Sequence, residues 1–153
     1  MAEAVSIEEE LARHGRGFFQ TAGDSMEPLL HNRYSTVVIE KPQGRLKKYD
    51  VALFYRPGGA VKTQPEGRYV LHRVVKVRRD GYLICGDNRI YREPVPEAWI
   101  VGVMTGFFNG ETYTSCEDGG YLQYVKTLDR RYAARWWRAL PGRVKRKLRR
   151  LFL

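Results

Sequence analysis

A serine hydroxyl is a poor nucleophile at neutral pH and reacts only when a neighbouring base takes its proton. Ser25 stands where that chemistry has room, in the turn Gly23-Asp24-Ser25-Met26-Glu27-Pro28. Gly23 permits an unusual backbone angle there, and Pro28 fixes the exit. Three histidines are available as the base. His14 lies in a stretch bracketed by glycine and arginine, ahead of the main apolar runs, and His31 follows Leu29-Leu30 at the end of the serine turn. His72 sits inside Tyr69-Val70-Leu71-His72-Arg73-Val74-Val75-Lys76-Val77, whose β-branched and aromatic residues predict a strand. Two acids follow: Asp87 in the turn Gly86-Asp87-Asn88, and Glu93 beside Pro94. Each feature alone is ordinary turn or strand chemistry. Neither Cys85 nor Cys116 has metal-ligand spacing or a His/Cys cluster beside it, and the two make no disulfide framework, so no metal and no cofactor is expected. Cys85, in Tyr82-Leu83-Ile84-Cys85, reads as a small buried apolar residue.

The elements that must position these groups are mostly strands. Ser6-Ile7-Glu8-Glu9 has the form of a capping box and predicts a short helix to about Arg13, ended by Gly15 and Gly17. Strands are predicted over 17–21, 36–40, 50–56, 69–77, 81–85 and 99–107, separated by clusters of Gly, Pro, Asn and Asp. Arg79-Asp80-Gly81 marks a hairpin. Closely spaced short strands without regular helical alternation predict a mainly β domain, partly closed into a barrel or sandwich. At 153 residues the chain is long enough for one domain with its own core.

The C-terminal segment has a different character. Leu128, Tyr132, Trp136 and Leu140 recur every four residues, as do Val144 and Leu148, with Leu151 and Phe152 beyond. Pro141-Gly142 divides the pattern into two short helices. Residues 129–153 hold ten Lys or Arg and one acid, Asp129, so nearly all of the net charge of +10 belongs to this segment and the body is close to neutral. The reading is three parts: an N-terminal helical segment over 1–16, a β domain over 17–127, and a basic amphipathic helical tail over 128–153. Such a tail suits an anionic membrane surface, with a solvated basic face packed on the β domain as the other reading; no specific nucleic-acid partner is expected. A helical membrane span needs about 18–20 consecutive apolar residues, and the stretch from Trp99 to Phe108 falls short of that. With a mean hydropathy of −0.49 and no apolar leader, the expected placement is cytoplasmic, open to peripheral membrane contact.

In order along the chain stand Gly-x-Ser-Met-x-Pro at 23–28, Lys48-Tyr49-Asp50-Val51-Ala52-Leu53-Phe54, the run 70–75 around His72, and Gly86-Asp87-Asn88. This ordered set resembles the sequence boxes of signal peptidase I, within the wider signal peptidase and LexA-like superfamily, over roughly residues 17 to 108. In the bacterial form a lysine precedes Arg-Val in the third box; His72 occupies that place here, as in the endoplasmic-reticulum and archaeal branch. The resemblance implies a serine endopeptidase of mostly β fold that binds its substrate as an added extended strand, with small residues such as alanine favoured before the cut. It implies Ser25 as nucleophile, His72 as general base and Asp87 or Glu93 as the supporting acid. Two departures stand out. Many members carry Ser two positions before the nucleophile, donating to the oxyanion hole, where this chain has Gly23. Most have an N-terminal transmembrane anchor, and none is legible here. The other readings are a LexA-type self-cleaving regulator, and a weakly active or inactive module of the same fold that binds a peptide or membrane. The first has too few residues before Gly23 for a helix-turn-helix domain.

Overall fold

Ser6 opens the first helix by accepting from the Glu9 backbone N–H while the Glu9 carboxylate accepts from the Ser6 N–H, the capping box that the sequence predicts. Helix α1 (Ile7–His14) ends at Gly15 in the left-handed conformation, φ 73°. The computed structural model describes residues 6–152, so residues 1–5 of the expected N-terminal segment, and Leu153 of the tail, lie outside the described residues. Eight strands follow: β1 (Arg16–Gln20), β2 (Ser35–Glu40), β3 (Val51–Arg56), β4 (Arg68–Arg78), β5 (Gly81–Cys85), β6 (Glu93–Pro96), β7 (Ile100–Asn109) and β8 (Thr112–Ser115). Three helices close the chain: α2 (Gly119–Lys126), α3 (Leu128–Ala139) and α4 (Gly142–Phe152).

All strand pairs are antiparallel, in the order β1-β2-β7-β3-β4-β5-β6, with β8 added to β7. The mainly β expectation is met. Closure is not: the end strands β1 and β6 do not pair, so hydrogen bonding leaves the sheet open rather than closed into a barrel. At the centre β7 divides its length: its first residues pair with β3, while Val103 to Asn109 pair with β2, and register shifts at Val38/Ile39 and Leu53/Phe54 re-aim the neighbours. One long strand thereby joins two halves of the sheet. Both faces are covered, which explains why β3 reads as an unbroken apolar run. Val51 and Leu53 enter one core cluster with Leu11, Met26, Leu30, Ile39 and Phe107. Ala52 and Phe54 enter the other, with Val70, Val74, Tyr82, Ile84 and Val95.

The helical end divides at Pro141-Gly142 as the sequence predicts, into α3 and α4. Its first two turns belong to the body: Leu128 and Tyr132 are buried against Val75 and Cys85. Cys85 is wholly buried, and desolvation pushes its thiol up to about 11. Among the described residues no helix is long and apolar enough to cross a membrane.

Candidate active site

β4 and the turn after β1 bring the two groups of interest together. Pairing of β3 with β4 sets His72 opposite Ala52, on the face that carries Phe54 and Val70. From there His72 Nε2 lies 3.0 Å from Ser25 Oγ, across 47 positions of sequence. That is hydrogen-bond distance for a nucleophile and its base.

The serine turn is held from three sides. Gly23 has φ 85°, a conformation that disfavours any residue with a Cβ, so glycine at this position has a local backbone reason. Its N–H donates to Asn32 Oδ1 at 2.8 Å. The Asn88 N–H donates to the Ser25 carbonyl at 2.9 Å, the Asn88 side-chain amide to the Asp24 carbonyl at 3.1 Å, and Arg89 pairs with the Asp24 carboxylate at 2.5 Å. Gly86 makes this approach possible. A Cβ there would meet the Ser25 carbonyl oxygen at 2.6 Å. The Gly-Asp-Asn turn is therefore the bed on which the serine turn rests.

The two acids part company. Glu93, on β6, reaches the site through the register Val74–Ile84–Glu93 across three strands, and its Oε1 lies 3.9 Å from His72 Nδ1. That separation is too long for a hydrogen bond but close for a charge. Arg56 holds the same carboxylate with two contacts of 3.1 and 2.5 Å. Asp87 makes no hydrogen bond with His72 among the described residues. Its carboxylate accepts from Arg73 Nε at 2.7 Å and Nη2 at 2.8 Å, from Tyr124 at 2.8 Å and from Tyr132 at 3.2 Å. Arg73 in turn donates to the Tyr49 carbonyl and the Tyr121 hydroxyl, both at 2.8 Å. The side chains of Arg73 and Asp87 are wholly buried. Burial alone would lower the guanidinium pKa, and the Asp87 carboxylate reverses that and holds it above its ordinary value. Both Asp87 oxygens are engaged by Arg73 and the tyrosines, so Asp87 anchors a buried ion pair beneath the serine bed and acts on the imidazole through its charge, which raises the His72 pKa, rather than through a hydrogen bond. Of the other histidines, His31 pairs with Glu27 at 2.7 Å within the serine turn, and His14 lies in the last turn of α1.

Arg56, Arg73, Arg89 and the tyrosines of α2 and α3 escaped the sequence reading. Arg73 carried a visible signal: a guanidinium inside an apolar strand must find a buried anion. Nothing local marked Arg56 as the partner of Glu93, 37 positions away.

Desolvation, and after it the positive charges of Arg56 and Arg89, lower the His72 pKa from 6.5 to about 4. The ring is thus neutral at pH 7, with Nε2 free to accept a proton when Nδ1 carries the hydrogen. Between pH 6.5 and 4 the unfolded chain binds a proton at this position that the folded chain refuses. Stability is therefore fully present above pH 6.5 and declines as the pH falls toward 4, by about 3 kcal/mol at most from this group. Urea unfolding of wild type and His72→Gln at pH 7 and pH 4.5 is expected to show a smaller acid loss in the variant. Equal losses in the two proteins would contradict this assignment.

Beside Ser25 and His72 opens an apolar cleft of about 480 Å³, lined by Phe19, Met26, Val37, Leu53, Leu71 and neighbouring residues. One wall is the chain from Phe19 to Ser25 and the other is Arg68 to His72. In β4 this first half pairs with β3 alone, since β5 joins only from Arg73 onward. Comparison of the chain with family models, curated proteins and solved structures gave no match.

Proposed function

We propose that the protein is a serine endopeptidase of the signal peptidase kind, with Ser25 as nucleophile and His72 as general base. The observation that carries this reading is the 3.0 Å contact between Ser25 Oγ and His72 Nε2 at the mouth of an apolar cleft. Ser25 Oγ attacks the scissile carbonyl carbon while its proton passes to His72 Nε2. The C–N bond then breaks, His72 gives that proton to the leaving amine, and an acyl ester remains on Ser25. Water, deprotonated by the same imidazole, hydrolyses the ester and restores the hydroxyl. The oxyanion falls to backbone donors, the Ser25 N–H foremost, because the Gly23 N–H is taken by Asn32.

Two acids stand near the ring without hydrogen-bonding it: Glu93, 3.9 Å from Nδ1, and Asp87, whose charge raises the His72 pKa. Arg56 holds the Glu93 carboxylate and, after burial, is the charge that does most to lower the pKa of the ring. The substrate is an extended peptide lying in the cleft between the β1–Ser25 segment and the open edge of Arg68 to Leu71, where main-chain hydrogen bonds align it and the apolar lining takes a side chain.

A fluorophosphonate probe, which esterifies activated serines, tests the reading without knowledge of the substrate. Mass spectrometry is expected to find one adduct, on Ser25, formed about 100-fold or more faster in wild type than in His72→Gln. An unlabelled Ser25, or labelling as fast in the variant, would remove the hydrolase assignment.

A further inference from the structure

The C-terminal helix presents a surface that hydrolysis does not use. No residue of α4 is buried. At helical spacing Val144, Leu148, Leu151 and Phe152 share an arc of roughly 100°, and Arg143, Lys145, Arg146, Lys147, Arg149 and Arg150 fill the rest. Val144 and Leu148 are half-buried, while the outer part of the stripe is uncovered: Leu151 is 69% and Phe152 84% exposed. α3 adds Trp136, 53% exposed, which lines a shallow depression with the exposed Ile90 and Tyr91. The one acid of this region, Asp129, is already engaged by Tyr49 at 2.7 Å and Lys48 at 3.6 Å.

Charge and shape together select the occupant. Ten cations in residues 129–153 call for an anionic partner. A nucleic acid would neutralise them and leave the apolar stripe in water. A second copy of the chain would cover the stripe while bringing two strongly cationic segments together. A bilayer surface with anionic headgroups satisfies both halves of the helix at once: the stripe enters the acyl boundary, the cations meet phosphate, and tryptophan suits the headgroup level. We propose that α4, aided by the exposed Trp136 of α3, docks the protein on an anionic lipid surface.

The test is co-sedimentation of the full chain with vesicles of phosphatidylcholine alone and with vesicles containing one third phosphatidylglycerol. Binding is expected about tenfold or more stronger to the anionic vesicles and to weaken in high salt. The variant carrying Leu148→Asn, Leu151→Asn and Phe152→Asn keeps every charge and touches no buried residue. It is expected to melt with wild type, lose about tenfold in vesicle binding, and hold duplex DNA as weakly or as tightly as wild type does. Equal binding to both vesicle types, no binding to either at low salt, or undiminished vesicle binding by the variant would overturn the proposal. Retention on DNA without retention on vesicles would overturn it as well.

Discussion

Ser25→Ala is expected to lower kcat/KM by about four orders of magnitude or more on peptides with alanine before the scissile bond, with the fold and melting temperature unchanged. The variant removes the atom that forms the covalent ester and leaves the cleft lining intact. His72→Ala is expected to fall nearly as far. The double variant should fall no further than the worse single one, because nucleophile and base act as one unit. This non-additivity separates a proton-transfer pair from two residues that merely bind substrate, whose losses would add. The lowered pKa of His72 adds a second signature: the acid limb of kcat/KM is expected near pH 4 instead of 6.5, since the neutral imidazole is the working form. Equal turnover by wild type and all three variants would leave a peptide-binding scaffold and no enzyme.

The second large effect is on folding. Asp87→Ala strips the counter-ion from a guanidinium with no solvent exposure, and breaking such a pair costs about 3–5 kcal/mol. In a chain of this size that is a drop of about 10–15 °C in melting temperature, measured by calorimetry or circular dichroism. The Tyr124 and Tyr132 hydroxyls lose their acceptor too, and both are held above their ordinary pKa, by burial first and then by this carboxylate. Arg73→Met combined with Asp87→Leu should be no worse than Asp87→Ala, because no lone charge remains inside. A melting point for Asp87→Ala within about 2 °C of wild type would show that the pair does not carry the bed of the serine turn.

Much of this organisation was written in local patterns. The capping box at Ser6 and Glu9 gave α1 its start, and β5 runs over the same residues that the pattern predicts. The three short elements that went unread each have a disguise. β6 contains Pro94 and Pro96, which argue against a strand except at a sheet edge, and the edge is where it lies. β8 follows Asn109-Gly110, a hairpin signal overlooked beside the longer run of β7. α2 opens on Gly119-Gly120, poor helix formers that hid its start. The strand order was illegible because it rests on long-range pairing, with β7 dividing its length between β2 and β3 through register shifts that no periodicity records.

In the site, types and order were enough to raise Ser25, His72, Asp87 and Glu93, which the fold gathers into one region, while the different partners of the two acids were not legible. Asp87 and Glu93 are both acids a few residues past β5, and only their cations distinguish them: Arg73 shares the wholly buried pocket of one, and Arg56 straddles the other next to the ring. Those cations are neighbours across strands or turns, and sequence distance does not encode that. The long reach of such contacts is also why Gly86 read as an ordinary turn glycine, when its missing side chain is what admits the Ser25 carbonyl.

The anchoring of Asp87 by Tyr124 and Tyr132 sets an order of events during synthesis. A nascent polypeptide released through Ser115 already contains the hydroxyl, the imidazole and Glu93, with every strand of the sheet. The loop that seats Ser25 still lacks two of its four hydrogen-bond donations at Asp87, because those come from α2 and α3. The ribosome therefore delivers the finishing contacts last, and the seat of Ser25 is complete only once α2 and α3 have emerged.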